Sequence, residues 1–432
     1  MMTNINTKTR SSSSRGWLVT IAGTAALLAL GVLYSWSVFK ANIPAEWGWL
    51  ESQKSLPYSV ACVVFSIMTF VGARLLVRYS PRLIVSAGGV MAGLGVIISS
   101  FSSSPWAFTL AFGVLLGSGI GFVYASAGPT ALKWFASSKT GLISGIVVAG
   151  FGMGSFWVAP LARRLMESFG LQTTMLYLGI GMLLAVVGFA QFLVNPPDDF
   201  VPAGDEKAKS NSINTNKDFT IKETTRTWQF YVIWIVFAFG SGAGLMIIGN
   251  LASIVKNQIG LPAFSAIAVS ALALGNGGGR VLYGILSDKI GRRNTLLIAF
   301  VMQAFLIGGL FFAQTSSLLS NVTLLMIFVG LVGANYGANL AVIPAMMKDY
   351  YGAKNLATNY GVVYTAWGLG GFMVSQLGSL IMDNYGSYDY AYVLAAAMLV
   401  AGSVLMIGLR SPQSTESSAA PLKVKLAPEV AK

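Results

Sequence analysis

Arg280 and Asn276 stand four residues apart in AFSAIAVSALALGNGGGRVLYGILS, residues 263–287, a run of 25 residues in which Arg280 is the only charge. A guanidinium keeps its proton at any accessible pH. Holding one among apolar side chains at membrane depth costs roughly 2.5–3.5 kcal/mol on insertion scales. An opposite charge at the same depth would offset that cost, yet Glu167, Asp288, Asp349 and Asp383 all fall at the ends of apolar stretches. Two bland readings compete. The long stem could snorkel toward headgroups, because Ser287 is only seven residues on, about 10 Å of helical rise. Alternatively, a structural partner could sit at a place that spacing does not reveal. The reading taken forward is an anionic ligand facing Arg280 from a water-filled cavity. A planar fork suits a carboxylate, which accepts two parallel hydrogen bonds. Asn276, one turn earlier on the same face, would donate to a substrate hydroxyl or orient the guanidinium. Its bland alternative is an interhelical hydrogen bond.

Polar aromatics near the middle of other apolar runs are the next candidates. Tyr124, Tyr336 and Tyr364 each offer a phenol to a carboxylate or hydroxyl, and Tyr34 does so nearer the end of its run. Packing against a neighbouring helix is the competing role. Leu28 would supply an apolar wall for a methyl group, or simply core. Asn335 and Asn339 straddle Tyr336 and are weaker candidates. Enzymatic chemistry has little to work with. The chain has no histidine and one cysteine, Cys62, inside an apolar run. A Ser/His pair, a metal-ligand cluster and a carboxylate dyad are all missing from the apolar runs, so no metal or cofactor is expected.

Elements able to position these residues are long and apolar. The 432 residues are 55% hydrophobic and 10% charged, which excludes an ordinary soluble protein. Apolar runs fall at 17–39, 56–77, 83–101, 106–131, 140–162, 173–194, 228–252, 263–287, 294–313, 321–346, 356–382 and 390–409. They predict an all-α membrane protein of twelve transmembrane helices in two six-helix bundles, 17–194 and 228–409. Residues 195–227, with PPDDF and GDEKAKSNSINTNKD, read as a solvated linker. Residues 1–16 and 410–432 read as polar tails. With the N-terminus inside, 22 of the 28 Lys and Arg face the cytoplasm, 5 face outward, and Arg280 is the remainder. That bias predicts cytoplasmic termini and linker in a cell (inner) membrane. The net charge of +13 is therefore a topology signal with lipid as the surrounding partner, and nucleic acid is not expected. A non-transporting nutrient receptor fits poorly, since the longest internal loop is only the linker. A functional monomer is expected.

The halves echo each other, as duplicated transporters do. Pro129, Lys133 and Lys139 recur 215 residues on as Pro344, Lys348 and Lys354. Gly145, Gly152 and Gly154 recur 216 residues on as Gly361, Gly368 and Gly370.

GILSDKIGRR, Gly284–Arg293, resembles the loop signature of the major facilitator superfamily, here in its second-half copy. The resemblance implies a conformational lock in which Asp288 pairs with Arg292 or Arg293 and parts when the halves rock. The first-half loop, GARLLVRYSPR, departs from the pattern, with Val77 where the aspartate belongs. WFASSKTGLISGIVVAGFGMG, starting at Trp134, together with YSWSVF from Tyr34 and Asn-Gly-Gly-Gly-Arg at 276–280, is similar to monocarboxylate transporters and bacterial oxalate/formate antiporter relatives. From that likeness the major facilitator fold is expected, with Phe151 and the four tyrosines lining the cavity. Dicarboxylate-exchanging relatives place a second cation on the eleventh helix, where this chain has Trp367, so one carboxylate is the expected cargo. The resemblance implies a short-chain monocarboxylate, L-lactate first and pyruvate next, moved by proton symport. The alternative is oxalate/formate-type exchange. In animal relatives an aspartate stands where this chain has Asn276, and an amide cannot carry the proton.

Overall fold

The computed structural model describes residues 3–136, 139–197, 200, 202 and 218–412. Helices cover every apolar run. They are α1 (Thr3–Ala29), α2 (Trp36–Lys40), α3 (Glu51–Leu75), α4 (Pro81–Ser99), α5 (Pro105–Leu132), α6 (Thr140–Ala190), α7 (Trp228–Gln258), α8 (Ser265–Ile290), α9 (Arg292–Phe312), α10 (Val322–Tyr351), α11 (Leu356–Tyr385) and α12 (Asp389–Ile407). No strand occurs among the described residues. α6 is two arms, the fifth and sixth apolar runs, joined at Gly170 with φ +76°.

Local sequence sets several of the ends. Ser80 caps α4 by accepting from Leu83 N at 3.3 Å, with Pro81 pre-set for the first turn. Thr227 and Asn321 cap α7 and α10 in the same way. Each of α8, α10 and α11 stops at a glycine of positive φ, Gly291, Gly352 and Gly386.

Eight helices among the described residues are long and apolar enough to cross a membrane, and α1, α8 and α11 are not among them. α8 and α11 carry buried polar groups, Asn276, Arg280 and Asn359, which dilutes their hydropathy. Outward-facing Leu184, Phe305 and Val404 are more than 60% exposed, as expected of a surface turned to lipid. Each half is held by its own pairs, α1 and α4 on α6 in the first, α7 on α11 and α8 on α10 in the second. The halves meet along α3–α11 and α6–α8.

Three expectations change. The first apolar run is not one helix: residues 30–35 form turns between α1 and α2, and Tyr34 sits in that break. The break lies where α1 presses on α6, and a Cβ on Gly31 would stand 2.3 Å from Gly154 O. α1 starts at Thr3, inside the stretch read as a tail. The linker ends as structure rather than solvated chain. Phe219 N donates to Tyr351 O (2.9 Å), while Asn355 and Asn359 Nδ2 both donate to Phe219 O (3.0 Å). Residues 203–217 and the tail beyond 412 lie outside the described residues.

Candidate functional site

Arg280 lies in the interior of α8, about 15 Å of rise from the end at Ile290. It is 4% exposed, and its side chain turns inward against α6 rather than out toward a membrane surface. Nε donates to Asn276 Oδ1 at 3.2 Å, the i,i+4 geometry of one helix face. Nη1 donates across the halves to the carbonyl of Val148 on α6 at 2.7 Å. Nη2 and Asn276 Nδ2 are buried without a hydrogen-bond partner. Among the described residues, no carboxylate forms an ion pair with Arg280. Both known partners of the guanidinium are neutral oxygens, so its charge stays uncompensated. A buried donor left unpaired costs about 1–3 kcal/mol.

Close helix approach places this pair. α8 and α10 touch backbone to backbone, and a Cβ on Gly279 would stand 2.3 Å from Ala334 O. On the other side, a Cβ on Gly152 would lie 3.2 Å from Cζ, Nε and Nη2 of Arg280. The guanidinium therefore lies flat on the bare α6 backbone.

An aromatic cluster closes over one side. Tyr34 OH and Tyr336 OH share a hydrogen bond of 2.9 Å between the halves, and Trp367 Nε1 donates to Tyr336 OH at 2.8 Å. Tyr364 stacks on Trp367, with ring centres 5.4 Å apart and planes 7° apart, and on Tyr124 at 5.7 Å. Phe151 packs on Tyr34 at 4.8 Å. Trp367 thus places a neutral, hydrogen-bonding ring in the cluster that organises Tyr336. Sequence reasoning missed Phe65, which is fully buried and touches Tyr124, Phe151, Tyr364 and Trp367 edge-on. An unremarkable apolar context, VVFSI, hides it.

Other candidates stand apart. Leu28 is half-buried on α1, and its carbonyl accepts from Trp157 Nε1 at 3.2 Å. Asn335 accepts from Tyr283 OH of α8, an interhelical bond. Asn339 faces α7 at Gly240.

The two ends of the molecule differ. Side-chain hydrogen bonds between the halves gather at the level of Arg280 and beyond it, away from the termini. At the end bearing the termini, a cleft of about 600 Å³ opens between Ala73, Arg78, Pro129 and Lys133 of the first half and Ala357 of the second. Tyr124 is half-buried, and no atom lies within 4 Å of a Cβ built on Gly128, one turn below it. Polar contacts between the halves thus lie on the far side, and the cleft lies on the terminal side.

In the loop after α8 the expected pairing of Asp288 with Arg292 is present, and it extends to a second carboxylate. Arg292 pairs with Asp288 and, at 2.9 Å, with Asp349 of α10. Arg293 instead donates to Ile407 O of α12 at 3.3 Å. All these partners belong to the second half, so this cluster ties α8, α9, α10 and α12 together and would ride as one piece if the halves rocked. In this structure none of its partners comes from the first half. No group of three potential metal ligands occurs among the described residues.

Helical halves around a buried cation, closed at one end, define a multi-pass membrane carrier. The family model of the Major Facilitator Superfamily matches residues 21–319 and 236–430, and the chain belongs to that superfamily. An Escherichia coli K12 protein described as an uncharacterized MFS-type transporter, YhjX, is 29% identical over 82% of this chain and 85% of its own length. The oxalate:formate antiporter of Oxalobacter formigenes is 28% identical over 89% of this chain and 88% of its own. Monocarboxylate transporter 13 of Rattus norvegicus is 24% identical over 91% and 89%. Among solved structures, a bacterial homolog of the human lysosomal transporter Spinster, inward-facing and unoccupied, shares the fold. Its TM-score is 0.63 at 15% identity, over 92% of this chain and 95% of that one.

Proposed function

We propose that this chain carries short-chain monocarboxylates, L-lactate first and pyruvate also, across a cell membrane by alternating access and with a proton. The observation that carries the reading is the pair of buried, unpartnered donors, Arg280 Nη2 and Asn276 Nδ2, beside a cation with no carboxylate partner. A carboxylate entering from the open end would satisfy both donors and neutralise the charge. It would also meet a neutral ring at Trp367 rather than a second cation, which supports a monoanion over oxalate. The aromatic walls suit a small apolar tail. The relatives' names point to the same chemistry: one is an oxalate:formate antiporter, another a monocarboxylate transporter.

Asp288, Arg292 and Arg293 act in this reading as a rigid clasp of the second half. The carrier works as a monomer in the inner membrane with cytoplasmic termini. Exchange in the manner of the oxalate:formate relative is the second reading. It is favoured by Asn276 itself, an amide where a titratable group would carry the proton.

Uptake of labelled lactate, pyruvate, formate and oxalate into proteoliposomes tests both. Lactate uptake should rise several-fold under an inward proton gradient. Uptake that ignores the gradient and requires internal anion would replace symport with exchange, and oxalate uptake exceeding lactate would overturn the monoanion assignment.

A further inference from the structure

Lys40, at the end of α2, reads in the sequence as an ordinary loop charge, but its side chain is fully buried between the halves. Its ammonium has partners from both. In its own half it meets Glu51 at 3.1 Å and Ser55 Oγ at 2.7 Å. From the other half it reaches Asn250 Oδ1 at 2.6 Å, Ser379 Oγ at 3.3 Å and Tyr388 OH at 3.4 Å. Asn250 is aimed at it, because its Nδ2 is held by Met246 O at 2.8 Å. Beside this cluster, Asp383 of α11 accepts from the backbone N of Glu51 (2.7 Å) and Ser52 (2.9 Å). A carboxylate of one half thus caps the positive end of a helix of the other.

The partners do not need Lys40. Glu51 also pairs with Lys54 at 2.8 Å, Asn250 Oδ1 also accepts from Tyr388 OH at 3.1 Å, and Ser55 bonds Ser379 at 2.5 Å. With Lys40 removed, these groups stay satisfied. With Asn250 removed, a buried ammonium loses its shortest contact, and water becomes the better partner.

We propose that Lys40 is the release catch of the seal at the end far from the termini: a buried cation that the opposite half must hold, and whose hydration drives that end open. The seal closes when Asn250, Ser379 and Tyr388 replace water around the ammonium, and Asp383 docks on α3 in the same movement. Opening returns Lys40 to water while leaving Glu51 and Ser55 beside it. This device works whatever anion occupies the site.

Opposite-sign variants test it. Asn250→Ala and Asp383→Asn weaken the hold of the second half, whereas Lys40→Met removes the charge that wants water. Cys62 is the reporter: it is buried at the α3–α11 contact, on the Lys40 side of Phe70. In purified full-length protein, the rate at which a water-soluble maleimide labels Cys62 is measured by mass spectrometry, with the melting temperature as a folding check. Asn250→Ala and Asp383→Asn should speed labelling about tenfold, equivalent to ~1.4 kcal/mol. Lys40→Met should slow it below the wild-type rate while keeping the wild-type melting temperature or raising it. If Lys40→Met speeds labelling as the other two do, the cluster is a plain structural contact and the proposal is wrong. It is equally wrong if a folded Asn250→Ala or Asp383→Asn labels at the wild-type rate.

Discussion

At the scale of residues, Arg280 works because its neighbours leave it incomplete. Asn276 and the Val148 carbonyl take two of its donor directions and supply no charge. Asn276→Ala should weaken lactate binding roughly tenfold, about 1.4 kcal/mol, since it removes one free donor and unties Nε. Equilibrium binding to the purified protein measures this. Gly152→Ala should displace the guanidinium by a few tenths of an ångström and lower affinity with the fold intact, which a melting curve beside the binding curve separates. Trp367→Phe removes the donor to Tyr336 and should cost about 1 kcal/mol of binding, roughly fivefold. Arg280 and Asn276 were legible in the sequence because charge and spacing mark them in an apolar run. Phe65 and Val148 were not. A phenylalanine in a hydrophobic stretch carries no sign of the rings it will meet, and a backbone carbonyl has no sequence signature at all.

At the scale of elements, the apolar runs beyond the first predicted the helices closely, with ends moved by only a few residues, whereas α1 begins at Thr3, well before its run. The breaks were harder. The turns at residues 30–35 divide a run that is apolar throughout, because the cause is the contact with Gly154 in a distant helix. The Asp288–Arg292 pair was legible in the loop motif, but the second partner of Arg292 was not, since Asp349 stands 57 residues beyond it. Its cluster lies within one half, so Asp349→Asn should lower the melting temperature by about a degree and leave the labelling rate of Cys62 unchanged. The exposed placement of the pair limits the loss to about 1 kcal/mol. A changed labelling rate would return this cluster to the role of a lock between halves.

At the scale of the whole molecule, the duplicated pattern predicted two bundles, and the structure adds which end is shut. Polar contacts between the halves gather on the side away from the termini, while the terminal side opens through a cleft between Lys133 and Ala357. Buried Lys40 escaped the sequence reading because a lysine one residue past an apolar run looks solvated until the second half is packed against it. A lone uncompensated cation midway between closed and open ends gives an arriving anion a reason to stay and gives the filled carrier less charge to move through the membrane. Calorimetric binding of L-lactate to purified wild-type protein and to Arg280→Ala and Arg280→Lys tests this account most directly. Saturable binding to the wild type, loss of about 3–5 kcal/mol in Arg280→Ala, and a substantial loss in Arg280→Lys, whose single ammonium cannot replace the fork, are expected. Lactate binding by Arg280→Ala within twofold of the wild type would contradict it.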